Sequence, residues 1–399
     1  MTILRKIVLL FFGVLVALLC LEIALRIAGF SFPSFVRRDP DLGWSLRPNQ
    51  EGWTRNEGGR IYLKISSSGL RDIEHSKDKP PDTFRVAILG DSYAEAAQVQ
   101  MDQTFWAIMG RRLAACPSIS PKKIEAINFG VDGYSTGQEL LTLRDKVWDY
   151  SPDMVVLLFT PSNDVTDNSP ILAVEKDKPF FIYREGKLET DTSFRHTAGY
   201  RIRDSLLVQL YYRSLNVSRT LQLVRQAMTL WRQRSLGRAV QGTTESGGTV
   251  LGLADLSYRA PGAGAWHDAW DITEGLLREA SEEAKARRMA FLVVTATRAI
   301  QVDPDREVRR RSMRLVGIDD LFYPEKRIAA LGASSGFSTL ILAQPFQAYA
   351  ERNHEVLHFQ AGHWDVSGNR LAGEMIADRI CEIQAQGQTS GTQSLVKIR

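Results

Sequence analysis

A serine follows a short apolar run in the stretch RVAILGDSYAEA, residues 85 to 96, in which Val86 to Leu89 precede Gly90-Asp91-Ser92. If this run is a buried strand of a parallel sheet, Ser92 lies at its carboxyl end, where open parallel sheets bind their ligands. Backbone N–H groups and the positive end of a following helix would stabilise an oxyanion formed at Ser92. Ser92 is therefore a candidate nucleophile, although a plain turn that caps a helix would have the same three residues.

Three further blocks place a residue of suitable chemistry after an apolar run or before a helix. NFGVDGYSTGQE contains Gly133, whose N–H can approach an oxyanion because no side chain obstructs it. TPSNDVTDN contains Asn163, an amide donor for the same oxyanion. AGHWDVSGNRLAGE contains His363, just before a helix that Ser367 is expected to cap. The four blocks together favour one catalytic site over the interpretation that Gly90-Asp91-Ser92 occurs by chance.

The apolar runs predict the elements that must position these residues. FRVAILG, KIEAINFG, DMVVLLF and MAFLVVTAT are continuous rather than alternating in hydrophobicity, and helix-length amphipathic stretches lie between most of them. Strands that helices cover on both faces have this pattern. The chain is therefore predicted to be an α/β protein with a doubly wound parallel sheet.

The N-terminus has the composition of a membrane segment. Ile7 to Leu21 contains no charged residue, and the apolar reach from Ile7 to about Phe30 is close to the roughly 20 residues that span a bilayer. A cleavable signal peptide would have a shorter apolar core and an A-x-A-like exit, so an uncleaved inner-membrane anchor through residues 7–29 is favoured. The positive charges at the extreme N-terminus place that end in the cytoplasm and the remaining chain outside it, which in a bacterium is the periplasm.

Composition divides the chain beyond this anchor, which we assign to residues 1–30. Residues 31–82 are rich in Pro, Gly and charge and are predicted to form an extended leader with short strands. Residues 83–385 carry the strand and helix alternation, and a helical insertion or cap interrupts it at about residues 166–265. Residues 386–399 are expected to form a flexible tail.

Charge and cysteine content narrow the function classes. Fifty Lys and Arg residues against 46 Asp and Glu residues give a formal net charge of +4 without a dense basic block, so nucleic-acid binding has no support. The histidines lack the spacing of metal ligands. Three cysteines are too few for a disulfide scaffold. Cys116 and Cys381 could pair in an oxidising compartment, but two buried free thiols are favoured.

The four blocks, in the order Ser, Gly, Asn, His, resemble those of the SGNH/GDSL hydrolase family, and the resemblance covers about residues 40 to 385. It implies that Ser92 is the nucleophile, that the Ser92 N–H, Gly133 and Asn163 form the oxyanion hole, and that His363 is the general base. It also implies a three-layer α/β/α flavodoxin-like fold, no metal and no cofactor. The implied substrates are esters, often acyl groups on a carbohydrate or a lipid.

The chain departs from the family pattern at the acid of the triad. The family usually carries an Asp two or three residues before the catalytic His, whereas Ala361 and Gln360 occupy these positions. Asp365 follows His363 by two residues and is a candidate, provided that a turn brings its carboxylate back to the ring. A backbone carbonyl or Gln360 is the other candidate, and either would leave a Ser-His dyad.

Two function classes follow from this departure. The first is a membrane-anchored periplasmic serine esterase or O-acyltransferase that acts on an acylated glycan or lipid through an acyl-enzyme. The second is a catalytically weak or inactive binding module in a cell-envelope polysaccharide pathway. A carboxylate within hydrogen-bond reach of the His363 ring would favour the enzyme.

Overall fold

The computed structural model describes residues 3–241, 253–360 and 362–396. Its strands are β1 (Val36–Asp39), β2 (Gly43–Leu46), β3 (Glu51–Asn56), β4 (Gly59–Lys64), β5 (Thr83–Gly90), β6 (Lys123–Asn128), β7 (Met154–Phe159), β8 (Phe180–Arg184), β9 (Lys187–Asp191), β10 (Ala290–Thr295) and β11 (Ser338–Ile341). The helices are α1 (Ile3–Ile27), α2 (Ser92–Glu95), α3 (Phe105–Leu113), α4 (Thr136–Asp145), α5 (Asp164–Asp167), α6 (Ala198–Arg203), α7 (Leu206–Val217), α8 (Arg219–Gln241), α9 (Ala265–Ala286), α10 (Ala299–Val302), α11 (Arg306–Val316), α12 (Tyr323–Ser335), α13 (Ala343–Asn353) and α14 (Val366–Val396).

Five parallel strands form the central sheet in the spatial order β11-β10-β7-β5-β6. Counted along the chain from β5, this is the 2-1-3-4-5 order of flavodoxin-like sheets. The direction of the chain across the sheet reverses at β5 and β7, so the crevice that binds ligands in such sheets lies beyond the carboxyl ends of these two strands. Ser92 follows β5 and Asn163 follows β7.

Helices cover both faces of the sheet. The eight residues of β5 are all buried, and Val86 and Ile88 pack towards α3, α13 and α14. Ala87 and Leu89 point the other way, towards α4, α9 and α12. Successive side chains of a strand alternate between faces, so a continuous apolar run contributes side chains to the hydrophobic core on each face of the sheet. The predicted three-layer α/β/α class is confirmed.

The disulfide between Cys116 and Cys381 joins the segment after α3 to α14 across 265 positions of the chain. The preference for two free thiols was therefore wrong. Both helices belong to the same core, which explains how residues so far apart meet. The only other cysteine of the chain, Cys20, is free and exposed on α1.

The segment before the sheet consists of two antiparallel hairpins. β1 pairs with β2, and β3 pairs with β4 with Asn56 opposite Gly59. A third hairpin, β8–β9, and helices α6 to α8 lie between β7 and α9. Residues 386–396, expected to belong to a tail, continue α14, and residues 397–399 lie outside the described residues.

α1 is long and apolar enough to cross a membrane: its 25 residues carry a mean hydropathy of 2.9 over the best window, and none is buried. An N-terminal signal sequence has the same properties. The end of α1 contacts the start of α8, because the Glu22 carboxylate accepts the N–H groups of Arg219 and Thr220, each at 2.9 Å. Arg26 donates to the carbonyl of Val217 at 2.7 Å. These contacts fix α1 to the segment between β7 and α9.

Candidate active site

Ser92 stands at the junction of β5 and α2. The side chain of Asp91 accepts the Tyr93 N–H at 2.9 Å and caps the short helix. Gly90 leaves room for this turn, because a Cβ there would lie 2.7 Å from the Cβ of Ala94. Ser92 therefore begins α2, with its side chain at the carboxyl end of the sheet.

His363 lies beside this serine, with its Nε2 atom 2.8 Å from Ser92 Oγ although 271 positions separate them. The loop that carries His363 is held from both sides. The Tyr93 hydroxyl donates to the carbonyl of Gly362 at 2.6 Å, and the indole N–H of Trp364 donates to Thr297 Oγ1 at 2.8 Å. Trp364 is 2% exposed, so the residue after the histidine is anchored in the core.

The other ring nitrogen of His363 meets a residue that the sequence analysis did not select. The carboxylate of Glu57 forms a short hydrogen bond with Nδ1 of His363. A carboxylate accepts but cannot donate, so Nδ1 carries the proton and Nε2 keeps the lone pair that can accept the Ser92 proton. Ser92, His363 and Glu57 thus have the connectivity of a serine–histidine–carboxylate triad.

Glu57 is the first residue of the turn between β3 and β4, and two contacts fix this turn against the segment after α2. Asn56 Nδ2 donates to the carbonyl of Ala97 at 2.7 Å. Gly58 approaches Gln98 so closely that a Cβ there would lie 1.8 Å from the Gln98 carbonyl oxygen. The tip of the hairpin therefore seats Glu57 beside the histidine.

Asp365, the acid expected from the sequence, caps a helix instead. Its Oδ1 accepts the N–H of Gly368 at 2.9 Å, in the first turn of α14. The chain enters the helix directly after Asp365, which directs the carboxylate to the helix N–H groups and away from the ring. The group that contacts Nδ1 of His363 is the Glu57 carboxylate. The expectation of Asp365 was therefore wrong, and so were the alternatives of Gln360 and a backbone carbonyl.

The signal for Glu57 in the sequence is weak. The turn Asn56-Glu57-Gly58-Gly59 has ordinary turn composition. An acidic residue in such a turn is usually solvated, and 306 positions separate it from His363. The contact depends on how the hairpin docks on the sheet, which local sequence does not encode.

Gly133 and Asn163 are placed at the same edge of the sheet as Ser92. Gly133 has a φ of +76°, a conformation that side chains disfavour, in the loop after β6. Asn163 donates one amide N–H to Asp91 Oδ2 at 3.1 Å, which leaves the second amide hydrogen for a ligand. Both residues line a cleft of about 980 Å³.

Two buried acids lie close to Ser92 and Asn163. Burial raises the pKa of Asp91 to about 6, and hydrogen bonds from the Tyr93 N–H and from Asn163 oppose the increase. Burial raises the pKa of Asp164 well above its ordinary value, and its Oδ2 accepts the Thr160 N–H at 2.7 Å. Both groups hold the backbone of strand ends, so they position Ser92 and Asn163.

His358, the histidine five positions before His363, has a different environment. Its Nε2 lies 3.1 Å from Thr297 Oγ1 and 3.0 Å from the Thr297 carbonyl. Burial lowers its pKa to about 4, so this ring is neutral and structural. Within the described ranges, no group of three or more His, Cys, Asp or Glu side chains is arranged to hold a metal ion.

Neither a protein-family model nor a curated protein matches the sequence. Among solved structures, the chain is similar to an acetyl xylan esterase at 14% identity and a TM-score of 0.38, over 74% of this chain and 100% of the other. A GDSL-like lipase from Bacteroides thetaiotaomicron is similar at 12% identity and a TM-score of 0.33, over 77% and 92%. A variant of an acetyl xylan esterase from Geobacillus stearothermophilus is similar at 11% identity and a TM-score of 0.38, over 76% and 97%.

Proposed function

We propose that the protein is a serine esterase or O-acyltransferase of the SGNH/GDSL type, anchored in the inner membrane of a bacterium with its catalytic domain in the periplasm. The observation that carries this proposal is the continuous hydrogen-bonded connection from Glu57 through His363 to Ser92. A carboxylate on the histidine ring was the feature that separates an enzyme from a binding module. Its presence favours catalysis.

Acylation of Ser92 follows from the geometry. His363 Nε2 takes the Ser92 hydroxyl proton as Oγ attacks the ester carbonyl carbon and forms the Oγ–C bond. The ester carbonyl oxygen gains negative charge and is stabilised by the Ser92 N–H, the Gly133 N–H and the Asn163 amide. Loss of one such donor costs about 10²- to 10³-fold in rate.

Completion of the reaction restores the starting protonation of Ser92 and His363. The His363 imidazolium, stabilised by Glu57, donates its proton to the leaving alcohol as the ester C–O bond breaks, which leaves an acyl-enzyme. A water or a sugar hydroxyl then gives a proton to His363 and attacks the acyl carbon. The Oγ–C bond breaks, and Ser92 regains the proton. Water as acceptor gives hydrolysis, and a sugar hydroxyl gives acyl transfer.

Three features support the location. α1 has the length and hydropathy of a membrane span, and Arg5 and Lys6 on its N-terminal side favour a cytoplasmic N-terminus. The disulfide between Cys116 and Cys381 is typical of an oxidising compartment. A fusion of alkaline phosphatase to the C-terminus is expected to be active, and an inactive fusion would contradict the proposed orientation.

The proposal is tested with the full-length chain in detergent. Wild-type protein should hydrolyse p-nitrophenyl acetate and become labelled by a fluorophosphonate, whereas Ser92→Ala should do neither. Absence of both reactions in folded wild-type protein would instead favour the binding module. The implied substrate class is an acylated glycan or lipid.

A further inference from the structure

The cleft beside Gly133 and Asn163 has an unusual distribution of positive charge. Three of the arginines that line it come from two parts of the chain outside the central sheet. The hairpin β1–β2 and the residue after it supply Arg37 and Arg47, and α7 supplies Arg213. A substrate whose ester reaches Ser92 would extend into this space.

Several other charged side chains of the cleft already have partners. Arg38 and Arg203 both pair with Asp177, which lies just outside the cleft. Asp167 lies 3.7 Å from the buried Lys178 amine. Arg38, Arg203 and Asp167 therefore each have an ionic partner within the protein.

Two of the three remaining acidic residues of the cleft accept hydrogen bonds from neighbouring groups. Glu175 accepts the Asp177 N–H at 2.7 Å, and the Asp204 carboxylate accepts the Gln209 amide at 3.2 Å. Asp132 is the residue next to Gly133; burial raises its pKa, and a positive charge on His363 opposes the increase. Asp132 thus belongs to the catalytic end of the cleft.

Arg37, Arg47 and Arg213 have no acidic partner in the described part of the chain. Arg37 donates to the Ser45 hydroxyl at 3.2 Å and Arg47 to the Val36 carbonyl at 3.4 Å. The Nε atom of Arg47 is buried without a hydrogen-bond partner. Burial and the positive charges of Arg37 and Arg213 lower the pKa of Arg47. A bound anion would offset the repulsion among these three guanidinium groups.

We propose that Arg37, Arg47 and Arg213 bind a carboxylate or phosphate group of the ester substrate, and that this substrate is an acylated acidic glycan. This inference rests on the proposed esterase function, since it assigns the substrate of the same site. Guanidinium groups bind carboxylate and phosphate through paired hydrogen bonds, which gives both affinity and orientation.

The walls between the arginines and Ser92 favour a sugar over an acyl-lipid. Trp44 lies against Gly133, where a Cβ would be 3.3 Å from its ring, and its indole N–H is held by the Asp132 carbonyl at 2.9 Å. Tyr212 lines the same space. Aromatic faces bordered by hydroxyl, amide and charged groups suit a sugar ring, whereas two long acyl chains need a broader apolar lining.

The test compares an acetylated oligogalacturonate with an acetylated neutral xylo-oligosaccharide, using full-length protein in detergent. Wild type should have a kcat/KM at least about tenfold higher for the acidic ester. Arg47→Gln and Arg213→Gln should each reduce this preference by about tenfold, mainly through KM, because they remove charge–charge contacts. Arg213→Lys should retain more of the preference than Arg213→Gln. Arg201→Gln, which removes an exposed arginine of α6 outside the cleft, is the matched control.

A binding measurement separates failure of this inference from failure of the esterase function. Unacetylated oligogalacturonate should bind Ser92→Ala, and binding should weaken by about tenfold in Ser92→Ala/Arg47→Gln. Such binding without any ester hydrolysis by wild type would contradict the esterase and support the acidic-glycan site. Equal binding of the neutral oligosaccharide would overturn the inference. Preferential binding to phosphatidylglycerol vesicles, lost in Arg47→Gln, would also overturn it in favour of a lipid.

Discussion

The central sheet and the β3–β4 hairpin position the residues of the proposed triad in different ways. Ser92 and His363 are held by several buried contacts at the carboxyl ends of parallel strands, including those of Asp91 and Trp364. Glu57 instead comes from a hairpin whose strands pair only with each other among the described residues. The proposed nucleophile and base are thus held by the central sheet, whereas the proposed acid depends on the docking of a separate element.

This difference separates two kinds of failure. A change in the sheet region should remove the chemistry itself, because no other group can take the place of the attacking oxygen. A change in the hairpin should leave the nucleophile in place and weaken its activation.

Ser92→Ala should have the largest effect, with a loss of about 10⁴-fold or more in kcat for p-nitrophenyl acetate, because the acyl-enzyme cannot form. Fluorophosphonate labelling should be lost in parallel. Ser68→Ala, at an exposed position of the leader, is the control and should behave as wild type. Retention of more than a tenth of the activity by Ser92→Ala would reject Ser92 as the nucleophile.

Glu57→Gln should reduce kcat by about 10³- to 10⁴-fold, as expected when the carboxylate of a triad no longer holds the histidine tautomer. KM should change little, since Glu57 does not line the cleft. Steady-state kinetics of the folded variant measure both constants. Glu57→Asp should recover part of the loss, because it restores the charge at a shorter reach.

Asp365→Asn is the matched comparison for Glu57→Gln, because both changes replace a carboxylate by its amide. It should change kcat by less than about threefold, since an Asn side chain also caps a helix. A larger loss in Asp365→Asn than in Glu57→Gln would reverse the assignment of the acid.

Gly58→Ala should have an intermediate effect, about 10- to 100-fold in kcat, although it alters no group of the triad. A Cβ at Gly58 would meet the Gln98 carbonyl at 1.8 Å, so the tip of the hairpin must move and carry Glu57 with it. Gly262→Ala is the control, because a Cβ there has no neighbour within 4 Å. If Gly58→Ala kept the kcat of the wild type, catalysis would not depend on the exact position of the hairpin tip.

The same division explains what could be predicted from the sequence. The sheet and the positions of Ser92 and His363 follow from contiguous blocks, because buried parallel strands are continuous apolar runs and their ends share one edge. Glu57 could not be predicted, because its contact depends on tertiary docking across 306 positions. The pairing of Cys116 with Cys381 depends in the same way on how α3 packs against α14.

Removal of the disulfide tests the stability of the sheet region separately from the catalytic reaction. Cys116→Ser/Cys381→Ser should lower the free energy of unfolding by about 2–5 kcal/mol, because the bond closes a long loop of the unfolded chain. Urea denaturation of the full-length protein in detergent measures this. Cys20→Ser, which changes the free cysteine of α1, should leave the midpoint unchanged. An equally stable double variant would show that core packing alone fixes α14.

The smallest effect concerns Asp365 as a helix cap. Asp365→Ala should lower the free energy of unfolding by about 1 kcal/mol, because the Gly368 N–H loses the acceptor that lies 2.9 Å away. Asp365→Asn should lower the free energy of unfolding by only a few tenths of a kcal/mol, since Asn caps a helix about as well as Asp does. Denaturation midpoints of the two variants, measured beside kcat, separate capping from catalysis: a cap changes the midpoint and a catalytic acid changes kcat. If Asp365→Ala lost about 10³-fold in kcat without a change in midpoint, the acid would lie in the sheet region after all, and the distinction between sheet and hairpin would fail.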